Sequence, residues 1–179
     1  MLSCAAKAGY QVEGIELAAS AATIASQLGI VVHTRTLAQC VPDLRFTAYG
    51  VISYFHVLEH LYDPVTELLT ARQALGQNGV LIIEVPYFGT LSWKLLGQKH
   101  RHFYRGHRSY FNPESLSKLL GRTGYTVVAW EKVPHFISMR WLLMRLGLSK
   151  VTQALPKWMA DKPVRVDLND MLLLAAKRA

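Results

Sequence analysis

Two apolar runs of strand length, Val51 to Phe55 and Val80 to Val85, flank a stretch that begins Asp63-Pro64 and reads as a helix through Leu75. Apolar runs of this kind suit parallel strands covered on both faces, and parallel neighbours need a long crossover, usually helical, to join them. Asp63 is a good N-cap and Pro64 a good first helical residue, while Asn78-Gly79 turns the chain into the second run and Pro86 stops it. This strand-helix-strand unit commits the chain to an α/β architecture.

The remaining sequence continues the alternation. Leu2 to Ala8 reads as a helix end closed by Gly9, Val12 to Leu17 as a strand ending in Glu16, Ala19 to Leu28 as a helix closed by Gly29, and Ile30 to His33 as a short strand. Asn112-Pro113 caps a helix reaching Arg122, with Gly124 as its stop. Tyr125 to Trp130 and Met171 to Ala176 are strands, and Ile137 to Leu148 is a short apolar helix carrying Arg140 and Arg145. Neither an internal repeat nor a domain boundary is visible. Residues 1–179 are expected to form one domain with substrate-side insertions at 85–113 and 134–166.

The chain is 179 residues long and 51% hydrophobic, enough for one well-buried core. No apolar run reaches the roughly 18 residues of a membrane span and no leader pattern opens the sequence, so a cytoplasmic location is expected. Cys4 and Cys40 show no metal-binding spacing and read as buried or idle thiols. The net charge of +8 divides into −3 over residues 1–90 and +11 over residues 91–179. Such an imbalance invites an anionic partner for the second half. Its densest part, residues 85–113, holds Lys94, Lys99, Arg101, Arg105 and Arg108, three histidines, several aromatics and no acid, and is expected to be a loop or insertion and not a core element.

In open α/β sheets ligands sit beyond the carboxyl ends of strands, and an acid ending an early strand can accept hydrogen bonds from ribose hydroxyls. Glu16 has that place, or it is an ordinary solvated carboxylate. The run at Val51 leads directly into His56, Glu59 and His60, which should face the same crevice; the two histidines also have the spacing of one helical face.

The segments VISYFHVLEHLYDP, LGQNGVLIIEVPYF, NPESLSKLLGRTGYTVV and DLNDMLLLAAKR, in this order, resemble the later motifs of class I S-adenosylmethionine-dependent methyltransferases, above all bacterial members related to the ubiquinone-biosynthesis O-methyltransferases. The resemblance implies a Rossmann-like sheet, mostly parallel with an antiparallel last strand. It implies S-adenosylmethionine as cofactor, with Glu16 on the ribose, Leu17 along the adenosine edge, Thr36 and Leu37 beside the adenine, and Phe55 packed on the cofactor. It implies methyl transfer, at oxygen, to a small-molecule or lipid-linked acceptor, with His56 or His60 taking the proton of a hydroxyl. His56, Glu59 and His60 fall where some quinone O-methyltransferases carry a Glu-x-x-Glu-His magnesium site. His56 is a nitrogen donor ill suited to magnesium, so no metal site is assigned.

The resemblance also implies a glycine-rich loop about 20 residues before the ribose acid, and counting back from Glu16 runs off the start of the chain. An N-terminally truncated, impaired form lacking the first strand is therefore expected, with weak cofactor binding. The strands at Val12 and Val51 should then pair directly in a six-stranded sheet. A non-catalytic module that keeps the fold is the alternative reading. Nucleic-acid binding by the stretch from Trp93 to Phe111 stands behind both, since such a stretch more often forms a solvated substrate loop. Arg140 and Arg145 suit either a core-packed helix with its cations in water or peripheral docking at a membrane surface.

Overall fold

The computed structural model describes residues 1–44, 48–145, 147–166 and 169–179. Its elements run α1 (Leu2–Lys7), β1 (Glu13–Ile15), α2 (Ala19–Gln27), β2 (Val31–His33), α3 (Leu37–Cys40), β3 (Tyr49–Phe55), α4 (Pro64–Ala74), β4 (Leu75–Pro86), α5 (Leu91–Leu96), α6 (Pro113–Arg122), β5 (Tyr125–Lys132), β6 (His135–Ser138), α7 (Met139–Arg145), α8 (Ser149–Ala154), α9 (Lys157–Ala160), β7 (Pro163–Val166) and β8 (Met171–Arg178). The main sheet has the order β3-β4-β8-β5. β3 and β4 are parallel, and β8 is antiparallel to both β4 and β5. Three strands therefore share one direction and the last opposes them, the α/β arrangement expected from the sequence.

The central strand β4 buries Leu81, Ile83 and Val85 on one face, where they meet Leu172, Leu174 and Ala176 of β8, Leu68 and Ala71 of α4, and Leu116 and Leu120 of α6. The spacing of four between Leu116 and Leu120 places both on the inner stripe of α6. The Tyr125 hydroxyl donates to the Leu68 carbonyl at 3.0 Å and satisfies its polar end inside this core. The other face is less protected: Ile82, Leu173 and Ala175 are half-buried and Val51 is exposed. The apolar run at Val51 thus marks a strand covered fully on one side only.

Three expectations are corrected. β1 and β3 do not pair: β1 pairs with β2 and β3 with β4, and the strands fall into sheets of two, four and two among the described residues. A cleft of about 300 Å³ separates β1 from β3. The stretch from Ile137 to Leu148 is not one helix. His135–Ser138 forms a strand paired antiparallel with Pro163–Val166, and the helix starts at Met139. The side chain of Arg145 and residue 146, both within that expected helix, lie outside the described residues. Finally, residues 85–113 are not a bare loop, since they contain α5 and a 3-10 turn, Gly97–Lys99, and bury Trp93, His100 and Phe111. No helix of the described residues is long and apolar enough to cross a membrane.

Candidate active site

β3 ends in a sharp turn. His56 takes φ +54, a region in which a residue with a side chain is uncommon, and its backbone N–H donates to the Glu84 carbonyl at 3.0 Å. A 3-10 turn, Leu58–His60, then leads to Asp63, whose carboxylate accepts from the N–H groups of Val65 and Thr66 and starts α4. Leu58 drops into the core, so the turn is anchored, and Glu59 is carried inward to 1% exposure. The half-exposed His56 ring sits between two carboxylates, with Nε2 at 3.1 Å from Glu84 and Nδ1 at 3.6 Å from Glu59. The two carboxylates, Glu59 first and then Glu84, raise its pKa to about 9.

The basic segment closes over this turn. The Glu59 carbonyl accepts from the N–H groups of Arg108 and Ser109, at 2.8 and 3.1 Å. His60 Nδ1 lies 3.0 Å from the Gly106 carbonyl, and the His60 and His107 rings meet edge-on with centroids 4.7 Å apart. A carboxylate oxygen of Glu59 and one ring nitrogen each of His60 and His107 all lie within 4.8 Å of one another. Both Glu59 carboxylate oxygens and His107 Nδ1 are buried without a hydrogen-bond partner. Burial lowers the His107 pKa and favours its neutral ring. Arg108 covers the Tyr62 ring at 3.3 Å and also hydrogen-bonds its hydroxyl.

The segment itself is held by two devices. Trp93 stacks on His100 at 4.3 Å, and the Arg101 guanidinium grips the buried Asp170 carboxylate through Nε and Nη2 at 2.8 and 2.9 Å. His102 Nε2 adds a third contact to Asp170 at 3.4 Å.

The residues expected at the cofactor fall around the cleft between β1 and β3. Leu37 and Phe55 line it, together with Gly14, Ile15, Ser53 and Val57. Glu16 follows β1, continues the ladder through its N–H to the His33 carbonyl, and accepts from the Ala18 N–H through Oε1 at 2.8 Å. Leu17 is 65% exposed beside it. Thr36 is the N-cap of α3, in a capping box with Gln39. The structure thus brings Leu37 and Phe55 to one cleft and leaves Glu16, Leu17 and Thr36 outside its lining. Apolar walls beside a strand-end carboxylate suit an adenosyl group. No glycine-rich strand-to-helix turn borders the cleft among the described residues, so the fit covers the adenosyl end of the cofactor. Sequence reasoning missed Glu84 and His107. The one available signal for His107 was a histidine in an acid-free segment just before a capped helix.

Comparison with known proteins agrees with this fold. Residues 1–129 match the family model described as a methyltransferase domain, and the chain belongs to that family. A possible histamine N-methyltransferase from Thermotoga maritima superposes with a TM-score of 0.60 at 16% identity, covering 98% of this chain and 76% of its own. An S-adenosylmethionine-dependent methyltransferase from Archaeoglobus fulgidus gives 0.66 at 15% identity, with 99% and 80% covered. Magnesium protoporphyrin IX methyltransferase from Synechocystis, with S-adenosylhomocysteine bound, gives 0.57 at 16% identity, with 99% and 68% covered. At these identities the likeness is one of fold. No curated protein sequence matches the chain.

Proposed function

We propose that this protein transfers a methyl group from S-adenosylmethionine to the oxygen of an anionic small-molecule or lipid-linked acceptor. The observation that carries this reading is the cluster of His56, Glu59, His60, Glu84 and His107 at the carboxyl ends of β3 and β4, roofed by a cationic aromatic segment. The cofactor supplies an electrophilic methyl on a positively charged sulfur, which departs as a neutral thioether. What the protein must add is alignment and removal of the hydroxyl proton.

Glu16, Leu17, Thr36, Leu37 and Phe55 are assigned to the adenosyl end, with Phe55 at the point where the cleft meets the turn after β3. His56 and His60 divide the proton work. His56, between two carboxylates, stays protonated at neutral pH, holding the turn and offering a positive charge. The acceptor hydroxyl gives its proton to the ring nitrogen of His60 that does not face the Gly106 carbonyl, beside Glu59 and His107. Arg108, stacked on Tyr62, and the exposed Lys94, Lys99 and Arg105 favour an acceptor that carries negative charge.

Transfer of labelled methyl from S-adenosylmethionine to phenols, carboxylated phenols and amines tests this reading. Label on the hydroxyl of the carboxylated phenols, falling as salt rises, is expected. Label on amines alone, or on no acceptor, overturns it. Calorimetry with S-adenosylhomocysteine tests the cofactor assignment separately. Glu16→Ala should weaken binding by roughly 10-fold or more, the loss of one charge-assisted hydrogen bond.

A further inference from the structure

We propose that α5 and the turn after it dock this protein on an anionic lipid surface. The helix is six residues long and buries only Trp93. Leu91, Leu95 and Leu96 are 71%, 76% and 50% exposed, and every residue from Lys94 to Lys99 is exposed. Leu91 and Leu95, four apart, share one stripe of the helix. Phe88 and Phe103 are exposed as well, with ring centroids 5.0 and 6.3 Å from that of Trp93, and extend the patch. Single exposed leucines are ordinary on a protein surface, whereas a contiguous apolar patch marks a place where something docks.

Charge decides what docks. Lys94 stands within the leucine stretch, Lys99 ends the turn that follows, Arg105 is exposed just beyond Phe103, and residues 85–113 contain no acid. A lysine keeps its charge in water while its stem lies along apolar surface, so lysines beside leucines suit the boundary between headgroups and acyl chains. Stable attachment takes an apolar element together with a basic one, and this segment supplies both. A second copy of the chain would instead bring like charges together across the same patch. In α7, by contrast, Arg140 already lies 3.5 Å from Asp161 and has less to offer a headgroup.

Trp93 ties this outer face to the site below. It stacks on His100 at 4.3 Å and meets Tyr110 edge-on at 5.5 Å; Tyr110 lies 6.1 Å from His107, whose ring meets His60 at 4.7 Å. A docked α5 therefore sets the roof of the site against the bilayer, with His60 three ring contacts from Trp93. The inference rests on the proposed function for one point, the choice of a lipid-linked acceptor over a dissolved one. The field that draws an anionic acceptor also draws anionic headgroups. Docking itself does not depend on methyl transfer.

The test is co-sedimentation of the full chain with vesicles, in the absence of cofactor and acceptor. Vesicles of phosphatidylcholine mixed with phosphatidylglycerol should carry the protein into the pellet, phosphatidylcholine alone should leave it in solution, and rising salt should release it. Leu91→Ser combined with Leu95→Ser should weaken binding by about a hundredfold, and Lys94→Gln combined with Lys99→Gln by about twentyfold. Leu28→Ser, at a leucine 64% exposed beyond α2, should leave it unchanged. Circular dichroism checks that each variant is folded. Absence from both pellets, equal binding to both kinds of vesicle, or unchanged binding by the double leucine variant overturns the proposal. A dimer in lipid-free solution that the double leucine variant dissolves would give the patch to a second copy and overturn it too. Methyl transfer can fail while vesicles bind, so the two readings fail separately.

Discussion

Asp170 shows how one residue holds the roof of the site. It sits just before β8 at 0% exposure, gripped by Arg101, while its own carbonyl accepts from the Tyr87 N–H at 2.8 Å. Burial alone would raise its pKa, but His102 and Arg101 outweigh that and hold the carboxyl well below the usual carboxylate range. Arg101→Ala removes the bidentate counter-charge of a buried carboxylate and should cost about 3 kcal/mol, read as a lower urea midpoint at neutral pH. The sign of the acid dependence follows from the depressed pKa. The contribution is complete above the unfolded value near 4 and is lost as pH falls from there toward the folded value. Urea titrations from about pH 5 to pH 2 should therefore show stability falling below about pH 4 in the parent and a shallower fall in Arg101→Ala. A parallel fall in both would place the acid sensitivity elsewhere. Residues of this kind were hard to find in the sequence. His56, Glu59 and His60 stood out because they are chain neighbours, whereas Arg101 meets Asp170 across 69 residues and His60 meets the Gly106 carbonyl across 46. No periodicity encodes such a pairing.

Elements were legible where their signal is local. Pro64 and Pro113 each open the helix expected of them, and Asn112 closes a capping box, accepting from the Ser115 N–H at 2.8 Å while the Ser115 hydroxyl accepts from the Asn112 N–H at 3.0 Å. Asn112→Ala should lower stability by about 1 kcal/mol, visible as a fall of a few degrees in the melting temperature. No change would mean that α6 is held by Leu116 and Leu120 alone. Legibility failed where a distant partner decides. Asn78-Gly79 reads as the turn before a strand, yet β4 already pairs at Leu75 opposite Tyr49, and residues 76–79 bulge out before Val80 meets Val51. Gly79 is required there, since a Cβ would lie 2.8 Å from the Tyr49 carbonyl oxygen. Ile137 and Ser138, expected to open a helix, lie instead in a strand because residues 163–166 pair with it.

Across the whole molecule, the α/β class and the antiparallel last strand were readable and the pairing of β1 was not. The large core draws on β3, β4, β5, β8, α4 and α6, and Leu37 is its one buried member from before residue 50 among the described residues. The β1–β2 pair is three residues long on each side, and Ile15, Leu17, Ile24, Leu28 and Val31 around it are exposed. Among the described residues no strand pairing joins the two sheets across the cleft between β1 and β3, so little couples their opening. Local stability follows buried apolar contact and protected hydrogen bonds, which predicts a graded response in hydrogen exchange. Amides of β1, β2 and α2 should exchange well before those of β3, β4 and β8, and the latter should exchange only with global unfolding. S-adenosylhomocysteine should slow exchange in β1 and at the end of β3, because a ligand in the cleft touches both sheets and couples them. Uniform protection across β1, β2 and the main sheet in the free protein would show one cooperative unit. Protection by ligand confined to β3 would remove β1 and Glu16 from the cofactor site.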